Sequence, residues 1–313
     1  MLPWLACSPA PTPPVTVAPL APDPAPAAPV PEAPKPFPSG PFTLEVLPGL
    51  QVAAFLPPEL PADDYSRPDP AAVAGCDPRV FVVTIDPRRF EIAYLSALDP
   101  AVEHGPLDAG GWSTRHDLVV AFNPGMFEPD DRATGYTRAG TFVSQPEVRR
   151  HRMYASWLTV TGDVVAAIHR PPPQTKATYV PYDTLAPAFR TQLDSADLVV
   201  QSLSVIAGGE AVYPKRSNQW SELAFGMDRD GRLVVVFSRY PWEMRELGRK
   251  LVALGLPITE LLHGEGGPEA SLVVRAGGYE LVAMGSYETG FAGDDNRTLW
   301  TLPAVMGVRE AAP

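Results

Sequence analysis

Titratable and flexible residues are densest in one stretch of the 313-residue chain, His263-Gly264-Glu265-Gly266-Gly267-Pro268-Glu269-Ala270-Ser271. Glycines let the backbone approach a ligand closely, and two carboxylates beside an imidazole supply the groups that general acid–base chemistry needs. The same composition also makes a surface turn, and the apolar residues on both sides weigh against that simpler role. Two further segments end apolar runs in polar residues, as strands do where they meet a ligand. In Phe122-Asn123-Pro124-Gly125-Met126-Phe127, followed by Gly135-Tyr136-Thr137-Arg138, the Asn123 amide can donate to and accept from a sugar or phosphate, and Arg138 offers a planar fork for a phosphate. In residues 197–202 an apolar run closes on Gln201-Ser202 ahead of Gly208-Gly209. A structural turn is the competing role for both.

Aromatic and imidazole groups add less. Trp220, in the polar stretch 217–222, is the best candidate for a sugar-stacking platform, whereas Trp112, Trp157, Trp242 and Trp300 suit core packing. His104, His116, His151 and His169 are scattered and read as surface or core-edge residues. No P-loop, dinucleotide fingerprint, zinc spacing or Gly-x-Ser-x-Gly elbow is present.

The elements that must position these groups are mostly strands. Alternation or β-branched runs mark residues 42–47, 80–85, 90–95, 118–122, 156–160, 164–169, 198–201 and 233–238, with 90–95 expected to fold back on 80–85 across Asp86-Pro87. Phe225 to Arg232 reads as a hairpin with an Asp230-Gly231 turn. The clearest helix is expected over 241–254, with proline first, Met244, Leu247, Leu251 and Leu254 at helical spacing, and Gly255 at the end. Strands follow at 258–262, 271–275 and 279–284, the last two joined by Gly277-Gly278. The expected class is α+β, with mixed β-sheets and a few packed helices.

Composition separates a leader from this domain. Of 39 prolines, 15 lie between Pro3 and Pro41, interleaved with alanine, so residues 1–41 should form a disordered, extended spacer ahead of a domain spanning 42–313. The net charge of −11 argues against a nucleic-acid partner, which requires clustered cations. Cys7 and Cys76 are too few for a disulfide framework. Cys7 follows Trp4-Leu5-Ala6 and precedes the spacer, where a lipidated cysteine would stand if residues 1–6 were the remnant of a signal peptide. An extracytoplasmic protein is then expected, secreted or held to the envelope by a lipid on Cys7, the sole membrane link expected.

Taken in order, these segments resemble bacterial members of the phosphodiester glycosidase family, the family of the lysosomal uncovering enzyme. Asn123 to Phe127 with Gly135 resembles its early motif, and Gln201-Ser202 half of its middle one, Leu203-Ser204 standing where Gly-Pro is expected. Leu254-Gly255 and Glu265-Gly266-Gly267 through Ser271 resemble its later signature, with Glu265 in place of aspartate. That change moves the carboxylate by ~1.5 Å, and displacements of ~1 Å can cost ~100-fold in rate. Ser221-Glu222 stands where the family places an arginine before the Gly226 strand, leaving Arg138 or Arg216 to meet a phosphate.

The resemblance implies hydrolysis of a sugar-1-phosphodiester or related glycosidic linkage in an extracytoplasmic glycan. Glu265 would be the acid/base or nucleophile and Glu269 its partner. Asn123, Gln201 and Ser202 would bond the sugar and Arg138 the phosphate, with Phe127, Trp220, His263, Gly266, Gly267 and Ser271 completing the substrate surface. No cofactor is implied, and no ligand spacing demands the divalent cation that Glu265 could bind. The departures favour a second reading, a silent glycan-binding or envelope scaffold protein. A third, Ser202 or Ser271 activated by His263 in a peptidase or lipase, lacks a nucleophile–base motif.

Overall fold

The computed structural model describes residues 33–35, 37–56, 79–172, 178–288 and 294–311, so most of the leader, with Cys7, and also Cys76 lie outside the described residues. β-Branched and aromatic residues at alternating positions build three main antiparallel sheets. In the largest, the strands run, edge to edge, Phe42–Leu47, Leu50–Phe55, Val80–Ile85, Leu233–Trp242, Trp220–Asp228, Ile258–Gly266, Ser204–Ala207 and Glu210–Ala211. A second has the order Tyr279–Met284, Ser271–Ala276, Val120–Phe122, Ala304–Glu310, Phe90–Ser96. The third has Val164–His169, Ser156–Thr161, Leu198–Ser202, Thr137–Ala139, Phe142–Gln145.

Each sheet turns one face to a common core. Phe81, Phe225 and Phe237 from the first, Phe122, Leu272 and Met306 from the second, and Leu158 and Val200 from the third meet there. The opposite face of each sheet carries a helix. Leu247 and Leu251 of Met244–Ala253 pack with Val205 and Val236. Trp112 of Ala109–Arg115 packs with Val273 and Val305, and Phe189 and Leu193 of Pro187–Asp194 pack with Trp157 and Val199. The period of two therefore sorts Leu223 and Phe225 into the common core and Ala224 onto the helix side. Mostly β with three helices among the described residues, the architecture agrees with an α+β class.

Several expectations are corrected. Phe90–Ser96 does not pair with Val80–Ile85, because both edges of the latter are occupied by Leu50–Phe55 and Leu233–Trp242; the Asp86 turn instead passes the chain to the second sheet, where Phe90–Ser96 pairs with Ala304–Glu310. The helix starts at Met244, not Pro241, since Pro241 and Trp242 extend the preceding strand and Glu243 is the cap, its carboxylate accepting from the N–H groups of Arg245 and Glu246. Packing begins ahead of Phe42, where Lys35 N–H donates to the Gly278 carbonyl at 2.8 Å and Phe37 stacks on Phe42. The Gly277-Gly278 and Asp230-Gly231 turns lie where the sequence puts them.

Phe225, fully buried and 5.8 Å from the Phe122 ring, joins two sheets. Phe225→Ala should lower unfolding free energy by about 3–5 kcal/mol through the cavity it leaves. Trp300→Ala, at a residue 44% exposed, should change it by no more than about 0.5 kcal/mol. Urea denaturation of the two variants checks the contrast.

Candidate functional site

The stretch His263 to Ser271 is not an open loop. Its first half, through Gly266, continues strand Ile258–Gly266 alongside Trp220–Asp228, and Gly267–Glu269 then forms a single 3₁₀ turn. The register slips between Leu223 and Ala224: Leu223 faces Glu265, Ala224 faces His263, and Gly264 is the extra residue of a bulge. Glycine is required there by contact. A Cβ on Gly264 would lie 2.4 Å from Leu223 Cδ2 and 3.0 Å from the Asn123 carbonyl oxygen. The bulge thus brings the asparagine turn of the second sheet against the first.

Around it, backbone and side chain interlock. Asn123, fully buried, accepts from Ser271 N–H through Oδ1 at 3.1 Å, and its Nδ2 has no hydrogen bond. Ser202 donates through Oγ to the His263 carbonyl at 2.6 Å, and Ser271 Oγ donates to the Glu269 carbonyl at 3.0 Å. Trp220 lays its ring against Gly266, with its indole N–H buried and without a partner. Asn123, Ser202, Trp220, His263, Glu265, Gly266, Gly267, Glu269 and Ser271 are in this way drawn to one end of the eight-stranded sheet.

The electrostatics centre on carboxylates. Glu222 Oε2 stands 3.2 Å from His263 Nε2, at ion-pair distance but without hydrogen-bond alignment, and both side chains are almost wholly buried. Burial pushes Glu222 well above the usual carboxylate range and His263 below the usual imidazole value. Both shifts favour uncharged forms. Glu265, half-buried, is pushed up to about 8, chiefly by burial; His263 and the Gly266 N–H, 3.1 Å from Oε1, act in the opposite sense, and Glu269 and Glu222 raise it further. Glu269 is raised by burial and by Glu288. A carboxyl that keeps its proton at neutral pH can give it to a leaving oxygen.

Three expected ligand groups have other occupations. Gln201 has its amide saturated: Oε1 accepts from Tyr136 and Arg149 N–H, and Nε2 donates to the Arg149 and Tyr154 carbonyls, so it clasps two backbone segments. Arg138 donates to the carbonyls of Gly140, Leu193 and Ala196, closing the C-terminal end of the helix Pro187–Asp194. Phe127 packs against the common core. His169 Nδ1 lies 3.1 Å from Ser204 Oγ, and His104 and His116 face one another at 2.8 Å. Among the described residues no group of three or more His, Cys, Asp or Glu could hold a metal ion.

Sequence reasoning missed the second ring of the site. Tyr213 is buried close enough to Glu222 and Arg216 to feel both charges, and Tyr154, under the Arg149 guanidinium at 4.8 Å, feels Glu265. Glu222 did carry a signal, as a lone carboxylate inside the apolar run 220–226. A cavity of about 380 Å³ lies elsewhere, at the turns around Gly49, Asp86 and Arg232. About six residues of strand Leu233–Trp242, or roughly 20 Å, separate it from the carboxylates, since Ser238 lies opposite Glu222. Its Arg88 and Arg232 are already paired with aspartates.

The chain is a β-rich α+β domain with a carboxylate cluster at a sheet end, and its fold is similar to that of solved proteins. The chain superposes on the catalytic domain of zebrafish N-acetylglucosamine-1-phosphodiester alpha-N-acetylglucosaminidase, auto-inhibited by its pro-peptide, with a TM-score of 0.55 and 14% identity over 85% of each chain. At that identity the likeness is one of fold. A hypothetical protein from Synechocystis gives a TM-score of 0.46 at 13% identity, covering 88% of this chain and 64% of that one. A putative exported protein from Burkholderia pseudomallei gives 0.35 at 13%, covering 74% of each. No family model and no curated protein sequence matches.

Native Glu265 holds its proton up to about 8, whereas an unfolded glutamate releases it near 4.5. The folded state therefore binds more protons between those values, and stability falls as pH rises across that window. Glu265→Gln should make the decline of Tm between pH 4.5 and 8 shallower, leaving the part due to Glu222 and Glu269. An unchanged slope in thermal melts across that range would contradict the burial of this carboxyl.

Proposed function

We propose that the protein hydrolyses a glycosidic linkage, of the sugar-1-phosphodiester type or a relative of it, in an extracytoplasmic glycan, with Glu265 as proton donor. The carrying observation is the carboxyl of Glu265, desolvated among Glu222, His263 and Glu269 where two sheets meet at Gly264. The shared fold with a phosphodiester glycosidase domain supports the same reading. In this mechanism protonated Glu265 delivers its proton to the departing oxygen while charge builds on the sugar ring. Glu269 then serves as the base for water or as the nucleophile. Trp220 offers an aromatic wall, and the amide of Asn123 and the hydroxyl of Ser271 hold the backbone that carries the acids. No step requires a cofactor. Placement outside the cytoplasm, secreted or lipid-anchored through Cys7, accords with the leader composition.

Glu265→Gln should lower turnover of an alkyl glycoside by about 10²–10⁴-fold. A sugar 1-phosphodiester or nitrophenyl glycoside, whose leaving group needs less protonation, should lose less. Circular dichroism should be unchanged. Wild-type activity should decline as pH rises through about 8. Equal turnover by the variant on both substrate types would remove Glu265 from this role.

A second reading, a glycan-binding scaffold without catalysis, is favoured by Glu222, which stands where the resembled family has an arginine, and by the saturated amide of Gln201. Glycan binding by calorimetry with no hydrolysis of either substrate type would establish it.

A further inference from the structure

The chain carries a net charge of −11, yet one surface beside the carboxylates is strongly positive. The strand Glu147–Arg150 and the turn after it supply Arg149, Arg150, His151 and Arg152, and the approach to Trp220 supplies Lys215 and Arg216. The two segments meet where Arg216 Nη2 lies 3.2 Å from Met153 Sδ. Their convergence shows in His151, whose imidazole is held below its usual value by burial and then by Arg149, Arg152 and Arg216 together. Of these cations only Arg149 has a carboxylate partner among the described residues, Glu128 at 3.0 Å; Glu243 reaches Arg216 only through its backbone N–H. Arg152, Lys215 and Arg216 are exposed.

This crescent adjoins the reacting groups. His263 N–H donates to the Leu203 carbonyl at 2.9 Å, and Ser204 N–H donates to the Met153 carbonyl at 2.9 Å, so the arginine-bearing turn is one strand removed from His263. Tyr154 lies under the Arg149 guanidinium at 4.8 Å and is near enough to Glu265 to be influenced by it. Burial raises Glu222 and Glu265 toward their uncharged forms, which lessens their opposition to the crescent's field.

We propose that Arg152, Lys215 and Arg216, backed by Arg149 and Arg150, form an anion-binding subsite that holds carboxylate or phosphate groups repeated along the glycan that extends from the bond cleaved at Glu265. Guanidinium forks match both groups bidentately, and a row of cations suits a repeating anion better than a single one. The identity of the ligand as a glycan rests on the glycosidase reading; the affinity for repeated anions does not.

The test uses the full chain carrying Glu265→Gln, so that binding is measured without turnover. Calorimetric titrations compare a decagalacturonate, a glycerol phosphate decamer, a neutral dextran oligosaccharide and a short DNA duplex. One of the two anionic decamers should bind with salt-dependent affinity, and which one does so identifies the anionic group. Adding Arg152→Ala, Lys215→Ala and Arg216→Ala should weaken that binding about tenfold or more, whereas Arg88→Ala at the far end of the sheet should leave it unchanged. Failure of both decamers, equal binding of dextran, tighter binding of the duplex, or no effect of the triple substitution would overturn the proposal. Loss of the glycosidase reading shows separately, as absent hydrolysis by the wild-type chain while the decamer still binds.

Discussion

The site depends on a single close approach. Strand Ile258–Gly266 can carry His263 and Glu265 into a buried polar cluster because Gly264 adds a residue to one side of the ladder and presents no side chain to the asparagine turn behind it. A bulge twists and re-aims its strand. Here it lets the first and second sheets touch through backbone where a third layer of side chains would otherwise stand. The bond from Ser202 to the His263 carbonyl then ties in the third sheet, so all three sheets contribute to one corner of the molecule.

Low dielectric gives that corner its chemistry. Removing Glu222 and His263 from water disfavours charge on either. Glu265 lies at the margin of this region, half-buried, with its carboxyl raised to about 8. The cations stand further out, on exposed side chains. The polarity is thus layered, from an uncharged acid interior to a positive rim.

Much of the scaffold was legible because period-two patterning and turn chemistry are local properties. The Asp230-Gly231 and Gly277-Gly278 hairpins and the strands around them follow from residues within ten positions of one another. What was not legible was partner choice. Nothing in residues 80–96 reveals that one strand joins the first sheet and the next the second, since that depends on which edges distant segments have already taken. The helix Ala109–Arg115 escaped notice because Gly110 and Gly111 lower its intrinsic propensity, while the burial of Trp112 that holds it is tertiary. Among the site residues, the stretch from His263 to Ser271 declared itself by composition. Gln201 and Arg138 have the right chemistry for ligands, but most of their hydrogen bonds go to backbone about fifty or more residues away in sequence, a fact no motif encodes.

Strand Ala304–Glu310 lies between Val120–Phe122 and Phe90–Ser96, which join it from some two hundred residues upstream. The second sheet therefore has a gap beside its edge strand Phe90–Ser96 until residues 304–310 have been synthesised. Contacts so distant form late, since the entropy of closing the long loop must be overcome first. A polypeptide with this topology leaves Phe90–Ser96 without its ladder partner until residues 304–310 have emerged.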